Sequence, residues 1–271
     1  MAYEFIRVDQ DASGIVLITI NDLKNKNAVN FVMNRELVEE VQRIDDDSTA
    51  RVLILTGQQH IFCSGGNIRQ MTSQGKSLEP PSPSVRDELY PHEADIRAVV
   101  IALRRLAKPA IAAINGHAVG SGLGLAAGCD VRIAVRGAKL GWVFTRRGIV
   151  PDDASLYLMP QLIGYSRAFE WGITGRTISA EEAERIGFVS QVVDAAELLP
   201  RCRQLASEII DNVPPITAQA FKLALVESLE QRLEAAVGFA ERAQRIARST
   251  ADHGEALRAY ADKRAPRWQG K

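Results

Sequence analysis

Two apolar runs of β character each end in a glycine-rich turn that leads toward a helix, and this repeat limits what the chain can fold into. Val52-Leu53-Ile54-Leu55-Thr56 precedes Phe62-Cys63-Ser64-Gly65-Gly66-Asn67. Ala110-Ile111-Ala112-Ala113-Ile114 precedes Gly116-His117-Ala118-Val119-Gly120-Ser121-Gly122. Short, wholly apolar runs fit buried strands, and repeated strand-then-helix units predict an α/β core. Glycine lets backbone approach a ligand closely, while a helix start offers unpaired N–H groups and the positive dipole end. Two such turns brought together would hold one oxygen between two backbone amides. That is the geometry of an oxyanion hole, and it points to enzyme chemistry on a carbonyl.

The elements around these turns read in the same way. Ile15-Val16-Leu17-Ile18-Thr19-Ile20 is short, β-branched and bounded by Gly14 and Asn21-Asp22, as a strand should be. Val32, Leu37, Val38, Val41 and Ile44 recur at helical spacing, and Asp45-Asp46-Asp47 closes that helix. Residues 72–91 carry Pro80, Pro81, Pro83 and Pro91 among Ser, Gly and charges, and read as a loop or lid. From about Glu181 onward the pattern is helical, over 181–186, 198–212, 216–237 and 240–262, with Pro214-Pro215 as a break and Gly254 near the start of the last helix. Apolar stripes on such helices predict packing against a neighbour, so residues 201–271 read as an oligomerisation region attached to a core at 1–200.

Charge balance excludes some partners. The 271 residues hold 33 Lys+Arg and 33 Asp+Glu, so no global field argues for nucleic acid or an anionic membrane. Cys63, Cys129 and Cys202 form no even framework and no metal spacing, and they read as reduced thiols. His60, His117 and His253 share no ligand spacing with the cysteines, so no metal is expected. Residues 1–7 mix charges and lack a hydrophobic signal core, and no apolar run reaches membrane-spanning length. A cytoplasmic protein is the expectation. The G-x-G-x-x-G dinucleotide spacing fails, because Leu125 stands where the third glycine would follow Gly120 and Gly122. G-x-G-x-x-x-G does occur at Gly122, Gly124 and Gly128, so a nicotinamide cofactor stays an alternative.

A longer series of segments carries a resemblance. It comprises Asn25 to Val29; the first glycine turn through Ile68; Ala107-Lys108-Pro109 through the second turn to Cys129-Asp130; Ile173-Thr174-Gly175-Arg176-Thr177 with Glu181-Glu182-Ala183; Gly187-Phe188-Val189; and Lys263-Arg264-Ala265-Pro266-Arg267-Trp268. In this order they resemble the crotonase (enoyl-CoA hydratase/isomerase) superfamily over nearly the whole chain. The resemblance implies a spiral of ββα turns with a C-terminal helical region for trimerisation, often as a dimer of trimers. It implies acyl-CoA thioester chemistry, with coenzyme A entering as part of the substrate and no separate cofactor. The two oxyanion amides fall on Gly66 and Ser121, Ser121 standing where the family usually has glycine. CoA contacts fall on Lys24, Lys26, Ala28 and Ser64, and the tail residues Lys263 and Trp268 are placed to reach a neighbouring subunit's CoA. Trp142 and Phe144 are expected to line the acyl pocket.

The acid and base depart from the family's hydratases. Their two glutamates fall on Gly124 and Phe144, neither of which carries a proton, so two-glutamate water addition does not transfer. The resemblance to isomerases and dehalogenating members places the catalytic carboxylate at Asp152, with Asp153 as the cap of the next helix. One carboxylate can remove an α-proton and return it elsewhere, a 1,3-shift of a double bond. Glu88, Tyr90, His92 and Glu93 are the candidate second groups, while His117 reads as a bystander and Cys63 as a buried small hydrophobe rather than a nucleophile. The expectation is therefore an enoyl-CoA isomerase or hydratase-like enzyme working through an enolate. A thioester or carbon–carbon bond hydrolase, and an acyl-CoA-binding protein without catalysis, stand as alternatives.

Overall fold

The structure, a computed structural model, describes residues 3–66 and 95–271. The chain opens with β1 (Ile6–Gln10) and β2 (Ile15–Ile20), paired antiparallel, followed by α1 (Phe31–Asp46). Asn30 caps α1 by accepting from the Met33 N–H at 3.0 Å. Three strand pairs come next: β3 (Val52–Gly57) with β4 (Ile61–Cys63), then β5 (Ala110–Ile114) with β6 (His117–Val119), then β7 (Val131–Val135) with β8 (Lys139–Gly141). The described helices that follow these pairs in chain order are α2 (Ile96–Arg105), α3 (Ser121–Gly128) and α4 (Ser155–Ile163). The helix expected directly after the first glycine turn lies outside the described residues. Then follow α5 (Tyr165–Thr174), β9 (Thr177–Ser179), α6 (Ala180–Arg185) and β10 (Gln191–Val193). Four helices close the chain, α7 (Leu198–Asn212), α8 (Pro215–Glu230), α9 (Leu233–Arg248) and α10 (Ala251–Ala261).

The first strand of each pair joins one sheet and the second strand joins another. A six-stranded sheet runs β1-β2-β3-β5-β7-β10, parallel apart from β1; a four-stranded sheet runs β4-β6-β8-β9, with β9 antiparallel. This alternation is the ββα spiral. Every residue of β3 and β5 is buried, which is why those runs do not alternate; their one polar side chain, Thr56, donates its hydroxyl to the Ala113 carbonyl at 2.8 Å. The two glycine segments are therefore more than turns, since each contains a short strand of the second sheet. Asn115 holds the corners together: its Nδ2 donates to the carbonyls of Gly57 and Gln59, both at 2.7 Å, and its Oδ1 accepts from Gly57 N–H at 3.1 Å.

The C-terminal helices break at different places from those the sequence predicts. The expected helices at 216–237 and 240–262 become α8, α9 and α10, because Gln231 and Arg232 are extended (ψ 166° and 156°). Thr250 starts α10 by accepting from His253 N–H at 3.1 Å. Gly254 lies inside α10, and Gly238 sits undisturbed inside α9. The loop expected at 72–91 lies outside the described residues. Among the described residues, no helix is long and apolar enough to cross a membrane.

Candidate active site

The two glycine segments meet. Gly65 has φ +85°, and a Cβ there would lie 2.5 Å from the Val119 carbonyl oxygen and 3.4 Å from the Ser121 nitrogen. Only glycine fits such an approach. On its other side the Gly65 carbonyl accepts from Val29 N–H at 2.9 Å, and Val29 pairs with Gly66 in a parallel bridge. Ser121 is the first residue of α3, after Gly120 at φ 55°, and no side chain at Gly120 caps that helix. Its N–H thus belongs to the helix start, where no carbonyl of the same helix can accept it. The Gly66 segment and the Ser121 N–H lie on adjoining backbone, with Ser121 buried and Gly66 half-buried.

The segment after β2 is knitted to the first of these turns. Buried Asn27 accepts from Asp22 N–H at 2.9 Å and donates to the Ile61 carbonyl at 2.7 Å. This places Lys24 and Lys26, both exposed, on a loop beside the turn, with Lys26 in a left-handed conformation at φ 56°. Ala28 is buried, and the Ser64 hydroxyl reaches the Asn25 carbonyl at 3.5 Å. Lys24, Lys26, Ala28 and Ser64 are thus gathered in one region. Lys263 is exposed just past α10, and its backbone N–H donates to the Tyr260 carbonyl at 3.2 Å. Trp268 donates to the Asp211 carbonyl at 3.0 Å, which folds the tail onto α7.

The carboxylates divide their environments unequally. Asp152 is exposed, whereas Asp153 is fully buried. Asp153 Oδ1 accepts from the Ser155 hydroxyl at 2.6 Å and from Ser155 N–H at 3.2 Å, so it holds the first N–H of α4 from just outside the helix. The N-cap position itself is Ala154, left-handed at φ 63°, and not Asp153 as expected. Trp142 Nε1 donates to the same Ser155 hydroxyl at 2.9 Å. The second oxygen, Oδ2, is buried without a hydrogen-bond partner among the described residues. A Cβ built on Gly124 would lie 2.3 Å from it. Burial raises the Asp153 carboxyl from 3.8 to about 6, against the pull of its bonds to Ser155 and with a further push from the charge on Asp152.

Phe144 is buried with its ring edge against Gly120, since a Cβ there would lie 3.9 Å from Phe144 Cζ. Trp142 packs edge-on to Trp171, ring centroids 6.5 Å apart, and fills the space beside Gly172. His117 is exposed, and its Nδ1 accepts from Lys139 N–H at 3.2 Å across the β6–β8 pair. Burial pushes the Cys63 thiol up to about 12, which leaves it protonated at neutral pH and a poor nucleophile. Glu88, Tyr90, His92 and Glu93 lie outside the described residues. The sequence reading passed over the fastening asparagines, Asn27 and Asn115, and the unpaired oxygen of Asp153. The Asp152-Asp153 doublet was the one visible signal for the last of these.

Comparison with known proteins decides the family. The enoyl-CoA hydratase/isomerase profile matches residues 10–271. This chain belongs to the enoyl-CoA hydratase/isomerase family. Within it, the chain is 32% identical over 258 residues to the 1,2-epoxyphenylacetyl-CoA isomerase of Escherichia coli (strain K12), covering 95% of this chain and 96% of that protein. It is 30% identical over 269 residues to the mitochondrial methylglutaconyl-CoA hydratase of Mus musculus, covering 97% and 82%. An enoyl-CoA hydratase structure from Bacillus anthracis superposes with a TM-score of 0.89 at 32% identity, covering 99% of this chain and 100% of that one. Members of this family act on acyl-CoA thioesters, and the ββα spiral with its helical C-terminal region is the crotonase fold.

Proposed function

We propose that this enzyme acts on a CoA thioester by removing an α-proton and holding the resulting enolate oxygen between the N–H groups of Gly66 and Ser121. The observation that carries this reading is the contact between the two glycine segments, where the place of a Gly65 Cβ is 3.4 Å from the Ser121 nitrogen. Negative charge grows on the thioester oxygen as the proton leaves, and two fixed N–H donors there lower the barrier. The base is Asp152, at the exposed end of the carboxylate pair, and a double-bond shift is the favoured outcome. The absence of glutamate at Gly124 and Phe144 argues against water addition by two carboxylates. The isomerase named among the relatives supports a rearrangement.

CoA lies along the loop of Lys24, Lys26 and Ala28, with Ser64 beside it and Lys263 reaching from a neighbouring subunit. A lysine offers a phosphate a point charge on a flexible stem. Phe144 and Trp142 border the acyl group. The protein assembles as a homotrimer or a dimer of trimers through its C-terminal helices. Exchange of the α-protons of hexanoyl-CoA and phenylacetyl-CoA in D2O tests the reading: the wild type exchanges, and Asp152→Asn does not. Tight thioester binding without exchange by the wild type makes the protein an acyl-CoA binder instead.

A further inference from the structure

The geometry points to Asp153 as a second proton-carrying residue of the acyl-CoA site, its Oδ2 filling the space from which the family's two-glutamate members extend a side chain of α3. This rests on the enolate reading above and deepens it. A side chain at position 124 and the Asp153 carboxyl would compete for one place, since a Gly124 Cβ would lie 2.3 Å from Oδ2. The carboxyl has moved from the helix to the loop, and glycine on the helix makes room for it.

The capping role does not account for this arrangement. Capping uses Oδ1 alone, in its two bonds to Ser155. A helix cap on the surface leaves its other oxygen in water, whereas Oδ2 here is buried with no partner among the described residues. Such an oxygen is costly unless a proton or a ligand meets it. The Ser155 hydroxyl is itself fixed by Trp142 at 2.9 Å, so the carboxyl is held in one orientation. The groups around it favour the neutral acid. Helix α3 (Ser121–Gly128) carries no titratable side chain, and Tyr157, the titratable residue of α4, is exposed. The charge facing Asp153 is that of Asp152.

A neutral Asp153 completes a 1,3-shift with the proton balance closed. The Asp152 carboxylate takes the α-proton, and the C–H electron pair moves into the thioester enolate. As that pair returns to re-form the carbonyl, the new double bond forms between the α- and β-carbons. The electrons of the old double bond then take the Oδ2 proton of Asp153 at the γ-carbon. Asp152 is left protonated and Asp153 ionised, and transfer of one proton between them restores the starting state.

Asp153→Asn tests this, because it keeps an Oδ1 acceptor for Ser155 and replaces the acidic O–H by an amide NH2 that cannot transfer a proton. Two probes separate the steps: α-exchange of hexanoyl-CoA in D2O, and conversion of trans-3-hexenoyl-CoA to the 2-enoyl isomer. The expected result is exchange within about threefold of wild type and isomerisation lower by about a hundredfold or more. The wild-type isomerisation rate falls as pH rises through about 6, where Asp153 ionises, and that limb is missing in the variant. Gly124→Ala is the second variant; it crowds the carboxyl without deleting it, and lowers isomerisation while exchange persists. An Asp153→Asn enzyme that isomerises like wild type with an unchanged pH profile overturns the proposal and leaves Asp153 a cap. A folded variant that loses exchange as well also overturns it, by assigning the α-proton to Asp153. Wild type that exchanges nothing removes the enolate reading itself, a result distinct from both.

Discussion

At the residue scale, the doublet Asp152-Asp153 shows what a sequence can and cannot tell. Two adjacent carboxylates before a helix announce a cap and a spare, but not which is which, because burial is decided by the far side of the contact. Here that side is Gly124, 29 positions earlier in the chain. The burial of Asp153 has a consequence for stability. Its folded pKa, about 6, lies above the ordinary 3.8, so the folded chain holds this proton more tightly than the unfolded chain. Stability from this group is greatest below about pH 4 and declines as pH rises to about 6. The difference amounts to about 3 kcal/mol at most. Asp153→Asn removes it, so urea unfolding should find the variant gaining on wild type from pH 4 to pH 7. A constant gap across that range contradicts the assignment.

At the scale of elements, β2, β3 and β5 and the helices α1, α3, α6 and α7 were legible because their patterns are local, whereas β7 to β10, α2 and α5 were not named from the sequence. The apolar runs of β3 and β5, the β-branched run of β2 and the periodic face of α1 all declare themselves. The short strands β4 and β6 did not, since three residues carry too little alternation and their pairing comes from the second sheet. The break between α8 and α9 was invisible for another reason: no Gly or Pro marks Gln231 and Arg232. How the C-terminal helices dock was also out of reach. Lys222 of α8 is buried and reaches Asp130 Oδ2 at 2.8 Å and the Lys108 carbonyl at 2.9 Å. Lys222→Met leaves Asp130 without its cation, although Asp130 keeps some water. A loss of about 3 kcal/mol is expected, toward the lower end for a broken buried pair, measured by chemical denaturation. A loss under about 0.5 kcal/mol, the range of ordinary surface changes, would mean that the pair does not anchor α8.

Across the whole molecule, the apolar surface of the C-terminal helices is the unsettled feature of an isolated chain. Phe221, Leu225, Leu229, Leu233, Val237 and Ile246 are all exposed on α8 and α9. Large apolar side chains exposed in such number on two successive helices fit the proposed interface. Light scattering should find three or six copies of the wild type, and Leu225→Asp with Leu229→Asp should release smaller species. A wild type that runs as a monomer at micromolar concentration contradicts the proposed assembly. The close approach of the two glycine turns was legible because backbone geometry follows from small residues at strand ends, and the oxyanion hole proposed there uses backbone donors alone.

The backbone origin of those donors sets the most direct test, α-proton exchange from hexanoyl-CoA by two variants of Ser121. Ser121→Ala keeps the N–H and should exchange within about threefold of wild type, while Ser121→Pro removes the N–H and should lose about a hundredfold to a thousandfold. Proline suits the first position of a helix, so α3 should survive the change. Full exchange by Ser121→Pro would contradict the account, because no enolate could then depend on that amide.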